Sequence, residues 1–354
     1  MTRRANIYLY GDDLHLSPAE IAAELARLTA EQSAEADTYG LGGVVEEVEA
    51  YFARQLGKER ALFVPTGTLA NHLAIRKLAG ERRRVIVQEV SHIYNDTGDS
   101  SQTLSNLTLL PLAPGQATFT WQQVEEVLRR TESGRVAAPV GAISIESPVR
   151  RLAGELFDQA HMTDICSRAR EQGMRLHLDG ARLYIACAYA GISPADYAKP
   201  FDTVYVSLWK YFNSLNGAIL AGPADVLDGM FHVRRMFGGA LFNAWPFAIL
   251  ARHFANGYLD HMKHAIAVSE AFIREINGAG VRIERIPNGS NVFRLIVAGH
   301  RAETLRLRLA DQGVMLPRPA RKDDDMAFWL QVNETWNRTT GAELAERFSN
   351  ALGG

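Results

Sequence analysis

The stretch Arg175-Leu176-His177-Leu178-Asp179-Gly180-Ala181-Arg182 decides the fold. A short apolar run stops at an acid and then at a turn carrying a glycine, the form of a buried strand ending at a polar edge. Similar short runs occupy 85–87, 107–110, 142–145, 203–206 and 218–220. Helical patterns separate most of them, as at 121–130 and 159–171. Strands that alternate with helices imply an α/β fold with a mostly parallel central sheet, covered on both faces.

Upstream, 20–29 reads as a helix with Ile21, Leu25 and Leu28 on one face. The segment 44–56 reads likewise, with Val44, Val45, Val48 and Phe52 at helical spacing. Past Gly222 the pattern changes to a helical tract over 224–277, broken near Gly238-Gly239 and Pro246. A smaller mixed region follows, with strands expected at 281–286, 291–297 and 327–332 and helices at 303–312 and 342–352. The expected organisation is a large domain over 1–277, including an N-terminal segment, and a small C-terminal α+β domain over 278–354.

Composition narrows the function classes. Of 354 residues, 47% are apolar and 22% charged, as in an ordinary globular protein. Lys plus Arg number 38 against 40 Asp plus Glu, and a net charge of −2 argues against a dedicated nucleic-acid binder. Cys166 and Cys187 form no CxxC pair and no disulfide framework, so reduced thiols are expected. The sequence holds no run of 18 uninterrupted apolar residues, and the apolar stretch 5–9 gives way to Gly11-Asp12-Asp13. That is too short for a span or a secretory signal, and the expected location is cytoplasmic, with no membrane partner.

In open parallel sheets, ligands sit beyond the carboxyl ends of the strands. Strand 85–88 leads to Ser91-His92, strand 142–145 to Glu146-Ser147, and strand 203–206 to Ser207-Leu208-Trp209-Lys210. Phe63-Val64-Pro65-Thr66-Gly67-Thr68 is an apolar run breaking into a turn that opens a helix, an anion cradle of exposed N–H groups. Six lysines occur, of which Lys58, Lys77, Lys199, Lys263 and Lys322 sit among polar or turn-like neighbours and read as solvated. Lys210 alone follows a buried strand directly, between aromatic neighbours Trp209, Tyr211 and Phe212. Taken singly, it reads as a lysine snorkelling at a strand end or as a desolvated, nucleophilic amine. The constellation favours the amine. A phosphate cradle, a strand-end Asp179, Arg182 three residues on and Lys210 together are what pyridoxal phosphate requires.

At these residues the chain resembles the threonine aldolase / β-eliminating lyase family of fold-type-I pyridoxal-phosphate enzymes. The matching segments are Pro65-Thr66-Gly67-Thr68-Leu69-Ala70-Asn71, Ser91-His92-Ile93, His177-Leu178-Asp179-Gly180-Ala181-Arg182-Leu183, and Lys210 with Gly217. Tyr39-Gly40 and Arg235-Met236-Phe237-Gly238-Gly239 also resemble family stretches, and the likeness weakens in the C-terminal region. The resemblance implies that Lys210 holds the cofactor aldehyde and moves protons, that Asp179 bonds the pyridine nitrogen, and that His92 stacks on the ring and contacts a substrate hydroxyl. It further implies that Gly67 and Thr68 bind the phosphate, that Ser207 does so or merely satisfies a strand end, and that Arg182 holds the substrate carboxylate. A homodimer or homotetramer with sites shared between subunits is implied as well.

Departures from the family pattern fall on the substrate side. The family's Leu-Arg-Ser-Asp reads Leu9-Tyr10-Gly11-Asp12 here, placing Gly11 at a carboxylate-binding serine. The Glu-Asn-Thr-His stretch reads Glu146-Ser147-Pro148-Val149, which puts Val149 at a second histidine and suggests room for a bulky or aromatic β-substituent. Phe242 stands where an Arg would reach a neighbouring subunit's phosphate, and Ala327-Phe328-Trp329-Leu330 lacks the carboxylate-clamping Arg. Either Arg318, Arg321 or Arg338 replaces that Arg, with Arg318 favoured by its flanking Pro317 and Pro319, or the substrate is not a simple small amino acid. The expected reaction is retro-aldol cleavage of a β-hydroxy-α-amino acid to glycine and an aldehyde. The alternatives are β-elimination, transamination or racemisation, or a catalytically reduced relative acting as a binding partner. His161 with Asp164, and His261 with His264, read as solvated helix faces, and no metal is expected. Asp323-Asp324-Asp325 reads as an exposed loop.

Overall fold

The computed structural model describes residues 6–276, 278, 280–322 and 325–353; Asp323 and Asp324 of the acidic run lie outside the described residues. Thirteen strands occur in the described chain. They are β1 (Ile7–Tyr8), β2 (Arg60–Val64), β3 (Arg84–Gln88), β4 (Thr108–Leu112), β5 (Ala142–Glu146), β6 (Arg175–Asp179), β7 (Thr203–Ser207), β8 (Ala218–Gly222), β9 (Val281–Arg285), β10 (Val292–Ala298), β11 (Val314–Met315), β12 (Ala320–Lys322) and β13 (Asp325–Gln331). The central sheet has seven strands in the order β2-β8-β7-β6-β5-β3-β4. Pairings from β4 through β7 are parallel, and β8 runs antiparallel to both its neighbours.

The strands read as continuous apolar runs because both of their faces are covered. Ile86, Ile143, Leu176, Leu178, Val204 and Val206 enter one core, while Val85, Val87, Ala142, Tyr205 and Leu220 enter the other. Alternate residues of one strand thus feed opposite cores, as the two-residue side-chain period requires. The expected strands all occur, shifted by a residue or two at their ends. The expected helices at 20–29 and 44–56 are Pro18–Gln32 and Gly43–Gln55. The tract after Gly222 is four helices: Ala224–Leu227, Met230–Met236, Trp245–Ala255 and Tyr258–Ile276.

A second, four-stranded sheet in the order β12-β13-β10-β9 is antiparallel throughout. Its Phe293, Leu295, Phe328 and Leu330 share a core with Phe272, Trp336 and Phe348. The chain's start belongs with this end of the molecule, because β1 pairs in parallel with β11. Gly11, three residues past β1, donates its N–H to Gln331 Oε1 at 2.6 Å. Leu9 continues the contact, its carbonyl accepting from the Gln331 N–H.

Candidate active site

Register brings three side chains into one row at the carboxyl edge of the central sheet. Glu146 pairs with Asp179 across β5 and β6, and Asp179 pairs with Tyr205 across β6 and β7. Above them lies a cavity of about 230 Å³ lined by His92, Glu146, Arg150, Asp179, Ala181, Arg182, Tyr205, Trp209 and Lys210. The strand-end acid, the arginine after it, the lysine and the histidine singled out by the sequence therefore meet in one place.

Asp179 is held by a buried relay. Its Oδ2 accepts from Asn71 Nδ2 at 2.5 Å and its Oδ1 from the Ala181 N–H at 3.2 Å. Asn71 Oδ1 faces His177 Nε2 at 2.9 Å, and His177 Nδ1 meets Thr203 Oγ1 at 2.8 Å. Burial pushes His177 down to about 3, so the ring is neutral. With the Asn71 amide turned by the carboxylate, Nε2 carries the proton and Nδ1 accepts from Thr203. This chain of hydrogen bonds fixes where the Asp179 oxygens point.

Lys210 leaves β7 three residues after its last strand position, its ammonium 4.5 Å from the centre of the Trp209 ring. Burial first, and the Arg182 charge second, lower its amine to about 8, against the pull of Asp179, Asp12 and Glu146. A lowered amine is neutral, and nucleophilic, at lower pH. Below pH about 8, the rate at which Lys210 captures an aldehyde should rise about tenfold per pH unit, and level off above that point. A stopped-flow pH series of cofactor uptake reads this directly; a rise continuing to pH 10 contradicts it. Lys58, expected to be solvated, differs from that reading. It is half-buried, donates to the Ala198 and Phe201 carbonyls, and is also lowered to about 8 by burial. Its Nζ is engaged by two backbone carbonyls and lies outside the cavity that holds Lys210, so geometry separates the two lysines where pKa does not.

Glu146 was legible only as a strand-end acid, yet it ties the walls together. Its carboxyl accepts from the His92 N–H at 2.5 Å and the Arg150 N–H at 2.9 Å. Burial first, and Asp179 second, raise its pKa. His92 directs Nδ1 at Asp96 Oδ2, 3.3 Å away, and Asp96 also receives Arg150 at 3.1 Å and Arg151 at 2.6 Å. Arg182 gives its Nε to Asp12 Oδ2 at 2.7 Å, and Asn291 Nδ2 supports the other Asp12 oxygen at 3.2 Å.

The residues fit pyridoxal phosphate on several counts. Ser207 Oγ is buried at the end of β7, with the Tyr205 hydroxyl as its neighbour. Gly67 and Thr68 open the helix Gly67–Ala79, which Thr66 caps by accepting from the Leu69 N–H, leaving the Gly67 and Thr68 N–H groups for an anion. Only glycine fits at 67, since a Cβ there would lie 1.9 Å from the Tyr205 hydroxyl. A nucleophilic amine, a fixed carboxylate and this anion cradle are the donor set the cofactor needs.

Two expected substrate residues stand elsewhere. Val149 is fully buried with Val90 and Ala117 and lines neither this cavity nor the next, so it opens no space for substrate. Arg318 is exposed and sits near Glu303, whose carboxyl is lowered by Arg306 first and by Arg318 after it. Instead Arg150, one residue after Val149, reaches the cavity. Gly11 lines neither cavity; it is set beside the site by its bond to Gln331 and by its neighbour Asp12, which holds Arg182. Trp329, on the strand expected to carry a clamp, lines an adjoining cavity. His161 pairs with Asp158 rather than Asp164, and among the described residues no cluster of three or more His, Cys, Asp or Glu is arranged to hold a metal ion.

This fold and this lysine–aspartate pair define a fold-type-I pyridoxal-phosphate enzyme. The chain belongs to the beta-eliminating lyase family, whose model matches residues 17–315. It is 24% identical over 274 residues to the low specificity L-threonine aldolase of Saccharomyces cerevisiae, covering 77% of this chain and 70% of that one. A relative named alanine racemase, from Cochliobolus carbonum, is 28% identical over 54% of this chain and 49% of its own. Among solved structures, one from Listeria monocytogenes EGD-E assigned as an L-allo-threonine aldolase has a TM-score of 0.80 at 27% identity, covering 99% of this chain and 96% of that one. A serine palmitoyltransferase of S. paucimobilis with bound PLP and myriocin shares the fold, with a TM-score of 0.66 at 15% identity over 98% of this chain and 87% of that one. Pyridoxal phosphate is accordingly the cofactor, and the chain is a lyase of the threonine aldolase type.

Proposed function

We propose that the protein cleaves the Cα–Cβ bond of a β-hydroxy-α-amino acid, releasing glycine and an aldehyde. The observation that carries this reading is the shared cavity in which Lys210, Asp179, Arg182 and His92 converge. When bound, the cofactor supplies a sink for the electron pair left at Cα. Lys210 would be the amine that holds the cofactor aldehyde and moves protons beside it. Asp179, fixed by Asn71, anchors the ring nitrogen and keeps its proton. Gly67, Thr68 and Ser207 bind the phosphate. The two Nη groups of Arg182, whose Nε is held by Asp12, present a fork to the substrate carboxylate. His92 covers the ring; with Nδ1–H directed at Asp96, its Nε2 lone pair is the acceptor for the β-hydroxyl proton.

The finer substrate reading changes its footing. Val149 gives no room, but the adjoining cavity of about 370 Å³, which shares Arg150 and Arg182 with the reaction cavity, does. An elongated β-substituent fits there. A panel of threonine, phenylserine and longer analogues, assayed for aldehyde, is expected to give glycine plus aldehyde, with longer substituents favoured. A panel giving no aldehyde rejects the reading. The racemase relative supports one competitor, in which Cα–H breaks instead; loss of optical rotation without aldehyde is its signature.

We also infer that a second copy of the chain covers the exposed apolar side chains around Tyr39. Leu41, Met236 and Phe242 are 59%, 74% and 62% exposed, and Phe242 packs edge-on against Tyr39 with ring centres 5.3 Å apart. Such a cluster of exposed large apolar side chains favours an interface. Light scattering should return a dimer or tetramer, and Phe242→Glu should shift it toward monomer; a monomeric parent protein refutes the inference. No helix among the described residues is long and apolar enough to cross a membrane, and Cys166 and Cys187 are free and buried. A cytoplasmic site of action accords with both.

A further inference from the structure

We propose, resting on the lyase reading, that the adjoining cavity is a subsite for a β-substituent ending in a carboxylate. Its position sets the geometry. Arg150 and Arg182 line both cavities, so a substrate whose α-carboxylate meets Arg182 runs its β-substituent past Arg150 into the larger space.

The walls carry unused cationic hydrogen-bonding capacity. Arg150 spends one Nη on Asp96, and Arg151 spends Nε and one Nη on the same carboxylate. Among the described residues, no acceptor bonds the remaining N–H groups of these two arginines. Three arginines line the cavity, and the carboxylates paired with them are Asp96 and Asp12. Glu146 and Glu89 also act on Arg151, and Glu146 on Arg182, but among the described residues neither acid pairs directly with a guanidinium. N–H groups of Arg150 and Arg151 therefore remain for a ligand, and a neutral alkyl chain does not use them. A carboxylate does, and a guanidinium fork matches its planar geometry.

A second, independent feature lies opposite. Asn291 is 1% exposed, and its Nδ2 donates to Asp12 and to the Val332 carbonyl, which fixes the amide's orientation. Its Oδ1 is buried with no donor and lies close to Gly154, which lines the same cavity. A buried acceptor left unpaired is costly and calls for a donor, which a carboxylate ligand meets through an ordered water held between the two. Trp329 closes the far side, its ring covered by the Arg294 guanidinium at 5.1 Å.

The test compares shape-matched substrates that differ in charge alone, 3-hydroxyglutamate and 3-hydroxyglutamine, on the holoenzyme. The acid should be cleaved with kcat/KM about tenfold or more above the amide, the scale of one charge-assisted contact. Arg151→Gln should cut that ratio by about tenfold, and 0.5 M salt should narrow it. Equal kcat/KM for the two, with aldehyde released from both, overturns the subsite and leaves the lyase reading standing. Where neither is cleaved, binding of glutamate and glutamine, followed through the visible absorbance of the bound cofactor, still decides. Glutamate binding about tenfold tighter, and losing that margin in Arg151→Gln, supports the subsite; equal affinities overturn it. Failure of threonine and every panel member to give aldehyde is the separate result that removes the lyase reading.

Discussion

Lys210→Ala yields a folded protein that takes up no pyridoxal phosphate covalently and whose kcat/KM for β-hydroxy amino acid cleavage falls by about 10⁴-fold or more, the scale of losing a nucleophile that works as part of a unit. The side chain is half-buried at the end of β7 and bears no structural hydrogen bond, so its loss leaves the sheet intact. Far-UV circular dichroism and melting temperature should match those of the parent protein. Titration with pyridoxal phosphate should give the absorbance of the free aldehyde alone. Retention of the protein-bound chromophore in this variant removes Lys210 from the chemistry. Lys58 is the internal control, since its amine is lowered as far but is spent on two carbonyls.

Asp179→Asn is expected to retain covalent cofactor uptake and to lower kcat by about 10²–10³-fold, the cost of removing one preorganised electrostatic partner. The substitution keeps the size of the side chain, and its one oxygen still accepts from Asn71, whose amide is otherwise left unpaired at about 1–3 kcal/mol, while its amide NH2 gives up the longer bond from the Ala181 N–H. What it removes is the negative charge that keeps the ring nitrogen protonated. Steady-state kinetics and the absorbance maximum of the bound cofactor both report the change. Wild-type kcat in this variant excludes Asp179 as the ring-nitrogen partner. Asn71→Ala acts one bond further out and should cost less, with the same spectral direction.

The central sheet was legible because its strands are buried twice. A strand covered on both faces spells a short run such as Leu176-His177-Leu178, and its polar terminus marks where the chain meets ligand. The C-terminal strands were legible for the opposite reason, alternating Phe293, Leu295 and Val297 toward one core. The two-residue strands β1 and β11 were not, because so short a pairing leaves no periodicity to read. Nor was β12, three residues long at the edge of the smaller sheet.

The cofactor half of the site stood in the sequence because each group closes its own strand or opens its own helix. The substrate half did not, because it is assembled from residues far apart in sequence. Asp12 and Asn291 meet over Arg182, and Trp329 meets Arg150 and Arg151 across the second cavity. Alignment of one motif placed Val149 at the substrate, but the chain turns there so that Val149 enters a small core and its neighbour Arg150 faces the cavity. A one-residue difference in which side chain points inward is a matter of local backbone path, which a motif does not encode.

The most direct measurement is borohydride reduction of the protein reconstituted with pyridoxal phosphate, followed by proteolysis and mass mapping of the modified peptide. A single pyridoxyl group on the peptide containing Lys210 is the expected result. Labelling of Lys58 or another lysine instead, or no stable label at all, contradicts the account.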